Sequence, residues 1–326
     1  MRRVLSIDGG GIRGVYPAAV LAELDELCAG DIREYFDLIV GTSTGGILAI
    51  GLGLGKTPAE LLNLYINKGP SIFGQEGGRV SNVVKGFLRT ARQLFRGPKY
   101  RNAVLKQALV EELGEAKLGD SKNRLVITSF DYESADVRMD KTAHHENLYK
   151  DYKKSAVSVA MATSAAPTFF KPFVDDDSVG LIDGGVWANN PVAVAAREAI
   201  HYLGWGEEGV KILSIGTTKT PLKPAAGSGA IRMFYKQWII DMFMAAQDSE
   251  AQKSARIITQ GAGNDRTIWR VNDTVARGTF SLDGTERIKD LEGLGRSAAR
   301  RESASIVKHF FQNPAEPFVP VRKEVT

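Results

Sequence analysis

Apolar residues in this chain gather in short unbroken runs that end in glycine. Residues 4–7 form the first run, and Asp8-Gly9-Gly10-Gly11-Ile12-Arg13-Gly14 follows at once. From residue 15 to 27 the period changes, with Val20, Leu21, Leu24 and Leu27 at helical spacing. Residues 36–40 are a second run, closed by Gly41-Thr42-Ser43-Thr44-Gly45-Gly46, and residues 47–54 are apolar enough to start a core-facing helix. Apolar runs without alternation, joined by a helix-period segment, predict strand–helix–strand in a sheet buried on both faces. Further strands are predicted at 123–130, 179–182, 210–215 and 267–271, while 136–151 reads as a polar stretch. Thr57-Pro58 opens a helix with threonine as cap and proline first. Other helices are predicted over 155–166, from Asn190-Pro191 to about Leu203, over 231–246, and over 285–311 with a break at Gly293-Leu294-Gly295. The alternation predicts an α/β fold.

Composition narrows the class. The 326 residues can bury the core of one large domain or two smaller ones. At 43% apolar and 25% charged the chain resembles ordinary globular proteins, so disorder is not expected. A net charge of +4 and a pI near 9.0 tolerate an anionic partner without requiring one. Cys28 stands alone, which excludes an intrachain disulfide and a cysteine zinc site, and its apolar neighbours predict an inert core thiol. Met1-Arg2-Arg3 looks like a signal-peptide start, but Asp8 breaks the apolar run, and no stretch reaches the ~20 residues of a membrane span. A soluble cytoplasmic enzyme is the expectation.

Two segments carry surface chemistry. Arg79, Lys85, Arg89, Arg92, Arg96, Lys99, Arg101 and Lys106 accumulate in a tract without acidic residues. Val84, Phe87, Leu88, Ala91, Leu94 and Phe95 recur there at helical spacing, giving either a basic amphipathic helix for an anionic membrane or a docked helix with a solvated basic face. The 231–246 helix is apolar on nearly every face, through Met233, Phe234, Tyr235, Trp238, Ile239, Met242, Phe243 and Met244. Such a helix is expected to be buried; a mobile lid hinged at Gly227-Ser228-Gly229 or an oligomer contact is the alternative.

Catalytic candidates sit where strands end. Gly41-x-Ser43-x-Gly45 between strand and helix is the setting that makes serine a nucleophile, because a sharp turn lifts its hydroxyl off the sheet edge. Gly9-x-Gly11-x-x-Gly14 has two readings. As a dinucleotide fingerprint it needs an acid at the end of the second strand, but that strand ends in Gly41-Thr42-Ser43 and Asp37 lies at its beginning. As an oxyanion hole it needs only converging backbone N–H groups, each worth on the order of 3 kcal/mol in the transition state. Parallel strands place this turn and Ser43 at the same sheet edge. Arg13 either braces the loop or meets an anionic head group. Asp183, followed by Gly184 and Gly185, is a strand-end carboxylate that serves either a turn or a reaction. His144 and His145 are adjacent, point in different directions and receive no role.

In this order the motifs resemble the patatin-like phospholipase family: Asp8 to Gly14 as its DGGGxRG oxyanion loop, Gly41 to Gly45 as its GxSxG turn, Asp183 to Gly185 as its aspartate motif. Ser164-Ala165-Ala166-Pro167 and Asn189-Asn190-Pro191 are similar to its flanking segments. The resemblance covers about residues 4–216. It implies a three-layer α/β/α sandwich with a mainly parallel central sheet, and one domain over 1–326 whose part beyond about 217 is a helical lid or regulatory extension. It implies a Ser–Asp dyad in which Ser43 attacks an acyl ester and Asp183 takes its proton, with N–H groups around Gly10 and Gly11 holding the oxyanion. None of the four histidines lies in a comparable motif, so a triad is not implied. An aspartate with a reference pKa of about 3.9 needs a water-poor site to act as the base. No cofactor or metal is implied.

The implied substrate is a membrane phospholipid or lysophospholipid, met by peripheral association with the bilayer. Some bacterial members of similar size resemble anti-phage effectors that a cyclic di- or oligonucleotide switches on through assembly, so such an activator and a homo-oligomer join the expectations; a nucleic-acid polymer does not. A dinucleotide-binding protein using Gly9, Gly11 and Gly14, and a non-catalytic storage or scaffold protein on the same fold, are the alternatives.

Overall fold

The structure is a computed structural model that describes residues 1–28, 30–73, 99–221, 236–260 (backbone alone for 236–240) and 267–323. The basic tract from Arg79 to Arg96 and the Gly227-Ser228-Gly229 hinge lie outside them.

The strands are β1 (Arg2–Ile7), β2 (Leu38–Thr42), β3 (Arg124–Asp131), β4 (Asp136–Lys141), β5 (Phe173–Val174), β6 (Gly180–Asp183), β7 (Val210–Ile215) and β8 (Ile268–Val271). They form one sheet in the order β5-β6-β3-β2-β1-β7-β8, with β4 paired to β3 off this path. β3, β2, β1, β7 and β8 run parallel, β4 and β6 each pair antiparallel with β3, and β5 pairs antiparallel with β6. The helices that matter here are α1 (Val15–Asp25), α2 (Thr44–Gly53), α3 (Pro58–Ile72), α4 (Asn102–Leu113), α5 (Ala156–Thr163), α6 (Val192–Arg197), α7 (Lys236–Gln260) and α8 (Ile288–Phe310).

Unbroken apolar strands need cover on both faces, and each strand splits its residues accordingly. Leu5, Ile7, Ile39, Ile127, Leu213 and Trp269 pack with α1, α2, α3, α5 and α8. Val4, Leu38, Val40, Val126, Ile212 and Ile268 pack with α6, α7 and Trp205. This is the three-layer α/β/α arrangement expected from the sequence. The register puts Ile7 beside Gly41 and Ile215, so the turns after β1, β2 and β7 emerge at one edge.

Most predicted elements lie where expected, including the Thr57 cap, whose side chain accepts from Glu60 N while Thr57 N donates to the Glu60 carboxylate. Three differ. The polar stretch contains β4, whose buried Asp140 and Lys141 pair with Lys154 at 3.0 Å and Glu198 at 2.6 Å, so charge in that strand is satisfied rather than solvated. The C-terminal helix runs unbroken through Gly293–Gly295, because Gly295 marks a close approach: a Cβ there would stand 2.5 Å from Tyr16 O of α1. The described part of the apolar helix is not buried, for Phe243 on α7 is 58% exposed at the rim of a cavity. Cys28 is half-buried rather than in the core, and burial raises its thiol pKa, which keeps it protonated and inert. Among the described residues no helix is long and apolar enough to cross a membrane.

Candidate active site

β2 ends at Thr42 and α2 begins at Thr44, so Ser43 makes the whole reversal alone. Its φ of 55° and ψ of −124° lie in a region that costs a side-chain-bearing residue on the order of 1–3 kcal/mol. The glycines on either side permit the close approach that imposes it. A Cβ on Gly41 would stand 2.3 Å from Gly45 O, and one on Gly45 2.3 Å from Ile7 O. Two threonines lock the turn: Ser43 N donates to Thr163 Oγ1 at 2.8 Å, and Thr163 Oγ1 donates to Thr128 O at 2.6 Å.

The pairing of β3 brings Asp183 to this serine from 140 residues away. β4 and β6 both pair with Ser129, Phe130 and Asp131, so they occupy opposite edges of β3. β4 also covers residues 126–128, where β2 pairs, so β2 and β6 share the other edge and follow one another along it. β2 stops opposite Thr128, and antiparallel β6 stops with Asp183 opposite Ser129. The two strands meet head-on. Ser43 Oγ donates to Asp183 Oδ2 at 2.5 Å, while Gly185 N donates to Oδ1 at 2.7 Å. Asp183 is 5% exposed, and burial pushes its carboxyl up to about 6 against the pull of those two donors. A carboxylate in this state is a stronger base than a solvated one and is still ionised at neutral pH.

The glycine turn after β1 lies against the same serine. Gly9 N donates to Asn189 O at 2.9 Å, Thr217 Oγ1 donates to Gly9 O at 2.9 Å, and Gly14 packs on Thr44. Gly11 has φ +58°, and a Cβ there would stand 2.1 Å from Leu282 O, the same oxygen that accepts Ile12 N at 2.9 Å. Gly10 and Gly11 line a cavity with Ser43 and Asp183, and their N–H groups donate to no described protein atom. Arg13 is buried, absent from the cavity wall, and acted on by the carboxylates of Asp241 and Asp8. Gly184 packs against Thr128 at the foot of the aspartate turn.

The cavity measures about 520 Å³. Ile47, Leu64, Tyr65, Phe73, Leu109 and Phe170 wall it, and Val186 and Phe243, 40% and 58% exposed, stand where it meets solvent. A hydroxyl, a buried carboxylate and two glycines whose N–H groups have no partner among the described residues therefore line one apolar chamber. Among the described residues no histidine lines it. His144 is instead buried in a separate cluster, where its Nε2 meets Glu198 Oε1 at 2.9 Å and its Nδ1 meets Thr142 Oγ1 at 2.9 Å. Asp37 sits at the other edge of the sheet, held by Arg3 N at 2.8 Å and Arg2 at 3.1 Å, so it cannot serve the glycine turn as a ribose partner.

Sequence reasoning missed the support behind the glycine turn. Arg270 on β8 grips Asp8 through two bonds, of 2.8 and 2.5 Å, and also meets Asp248 of α7 at 2.9 Å. The signal was present: an arginine between Trp269 and Val271 in a buried strand demands a buried carboxylate.

Comparison with known proteins identifies the family. Residues 5–196 match the family model described as patatin-like phospholipase. A cGAMP-activated phospholipase of Pseudomonas aeruginosa is 33% identical over 309 residues, covering 91% of this chain and 88% of the relative. A cGAMP-activated phospholipase of Vibrio cholerae is 30% identical over 345 residues, 97% of this chain and 96% of the relative. Patatin-like protein 2 of Oryza sativa subsp. indica is 38% identical over 225 residues, 62% of this chain and 54% of the relative. With a family match over more than half its length and relatives aligned nearly end to end, the chain belongs to the patatin-like phospholipase family.

Proposed function

We propose that the chain is a lipid acyl hydrolase of phospholipase A or lysophospholipase type, working through Ser43 and Asp183. The observation that carries this reading is the 2.5 Å hydrogen bond from Ser43 Oγ to Asp183 Oδ2 at the end of an apolar cavity. Ser43 Oγ attacks the ester carbonyl carbon and passes its proton to Asp183. The N–H groups of Gly10 and Gly11 hold the oxyanion, with Gly9 and Gly14 fixing their loop and buried Arg13 bracing it. Collapse breaks the ester C–O bond, and the departing lysolipid alkoxide takes the proton from Asp183. Water then gives a proton to Asp183 and attacks the acyl-serine carbonyl; collapse breaks the acyl C–Oγ bond, Ser43 Oγ takes the proton back from Asp183, and the fatty acid leaves. The apolar walls suit an acyl chain, and the exposed Val186 and Phe243 suit a chamber that opens onto lipid, so membrane phospholipid is the substrate class.

The whole chain forms the catalytic domain in this reading. Trp269, Val271 and Phe310 share an apolar cluster with Ile39 and Leu48, which supports it. A cyclic dinucleotide switches the enzyme on; two bacterial relatives carrying cGAMP activation in their names, aligned over 91% and 97% of this chain, support that step. The test is fatty-acid release from phosphatidylglycerol–phosphatidylcholine vesicles, with and without a cyclic dinucleotide panel, oligomer size being followed by light scattering. Ser43→Ala abolishes release, EDTA leaves it intact, and cGAMP raises it at least about tenfold, a gain of 1.4 kcal/mol in transition-state terms. Wild-type release by Ser43→Ala overturns the nucleophile, and a flat response across the panel overturns the activator.

A further inference from the structure

Helix α7 reaches the proposed catalytic groups through two consecutive residues. Gln247 bridges both ends of the helical turn that follows Asp183: its Oε1 accepts from Asn189 N at 3.2 Å, and its Nε2 donates to Val186 O at 2.9 Å. Asp248 Oδ1 accepts from Asn190 Nδ2 at 2.7 Å and pairs with Arg270 at 2.9 Å. Arg270 carries the connection on to Asp8 at the head of the glycine turn, and its second nitrogen is fixed by Ser214 Oγ at 2.8 Å. The circuit closes where Gly9 N donates to Asn189 O. Neighbouring helix residues point about 100° apart, so one side chain of the pair serves the aspartate turn while the other also spans to the glycine turn.

Gln247 lines the cavity beside Val186 and Asn189 while Asp248 does not, and their ties to Ser43 and Asp183 are polar and indirect. A buried ion cluster of this kind adds little net stability, because desolvation offsets its attraction; what it fixes is geometry. Asp248, 23% exposed, is also the member that can be lost without stranding Arg270, which keeps both bonds to Asp8.

We infer that Gln247 and Asp248 are positioning residues for acyl transfer. They act through Asn189 and Asn190 on the aspartate turn and through Arg270 and Asp8 on the glycine turn, and so hold the oxyanion donors in register with Ser43 and Asp183. The inference rests on the Ser43–Asp183 reading. A misplacement of about 1 Å at such a site costs on the order of 100-fold in rate, which sets the expected scale.

The experiment uses the full chain and a soluble short-chain p-nitrophenyl ester, so membrane binding does not enter. Active sites are counted by the end-point of fluorophosphonate labelling, and thermal unfolding is followed in parallel. The Gln247→Ala/Asp248→Ala double variant labels to the wild-type end-point but turns over about 30- to 100-fold more slowly per labelled serine, with KM changed less than about threefold. Asp248→Asn, which keeps an acceptor oxygen for Asn190 and Arg270, restores most of the turnover in the Gln247 wild-type background. Wild-type turnover per labelled serine in the double variant overturns the inference. So does a loss confined to the number of labelled sites, which is what a purely structural role gives. If Ser43→Ala itself keeps the wild-type rate on this ester, the reading beneath falls first; if Ser43→Ala is inactive and the double variant is not, only the positioning role falls.

Discussion

The chain places Asp-Gly-Gly at the end of a strand twice, at Asp8 after β1 and at Asp183 closing β6, and the two aspartates invite comparison. Both are buried, 3% and 5% exposed, and burial pushes both carboxyls up to about 6. Their partners separate them. Asp8 is gripped by the Arg270 guanidinium, so its charge is matched by a fixed cation and its oxygens are occupied. Asp183 meets only a hydroxyl and a backbone N–H among the described residues. Burial alone makes a carboxylate basic; only the one without a cation has a lone pair aimed at a transferable proton. The strands deliver the two differently as well. β1 runs parallel to β2, so Asp8 leaves the sheet beside Ser43, whereas β6 runs against it, so Asp183 meets Ser43 head-on.

The largest effect should expose that difference in rate. Asp183→Asn keeps the shape but loses the base, and hydrolysis of a soluble ester should fall about 10³- to 10⁴-fold with labelling of Ser43 correspondingly slow. Asp8→Asn should lose about 10- to 100-fold, because it loosens the glycine turn without removing a proton acceptor. Equal losses, or a larger one at Asp8, would break the division of labour.

Stability should rank the two the other way. Arg270→Met leaves Asp8 as an uncompensated buried charge and should cost about 3–5 kcal/mol in urea unfolding. Asp183→Asn strands no charge and should stay within about 1 kcal/mol of wild type at pH 5. An Arg270→Met protein as stable as wild type would make Asp8 a second free carboxylate rather than a clamped one.

What was legible in the sequence was local. Ser43, the Gly9–Gly14 turn and Asp183 each announce themselves by a strand end and its glycines, and all lie in the stretch 5–196 that matches the family. The parallel strands were legible because burial on two faces leaves no alternation to confuse. β4 was not, since Asp140 and Lys141 look solvated until Lys154 and Glu198 are seen beside them. Gly295 looked like a helix breaker because nothing near it in sequence reveals Tyr16 O. Phe243 looked like core because an apolar side chain on a cavity rim is written the same way as one in the interior. Gln247 and Asp248 were out of reach for the same reason, and Arg270 showed its need for a carboxylate but not which one. Each works by a pairing across the chain, Arg270 with Asp8 over 262 residues, and only the fold brings such partners together.

The smallest effect is the sharpest test of what burial does to Asp183. Its carboxyl must be ionised to take a proton, so kcat/KM should fall about tenfold per pH unit below pH 6 and be flat above it. Stability must move the opposite way. A folded-state pKa of about 6 against an ordinary value of 3.8 means that the folded chain holds this proton more tightly than the unfolded one. The stabilisation is full below the unfolded value and is lost as pH rises through about 6, amounting to about 3 kcal/mol across the window. Asp8 is shifted in the same direction, so the wild-type curve alone mixes the two. Asp183→Asn removes one and leaves the other. Its unfolding free energy should therefore gain on wild type as pH rises from 4.5 to 7, with the crossover near the limb of the rate profile. Parallel stability curves for the two proteins would mean that Asp183 is not raised at all, and the basicity assigned to it would have to come from the substrate complex instead.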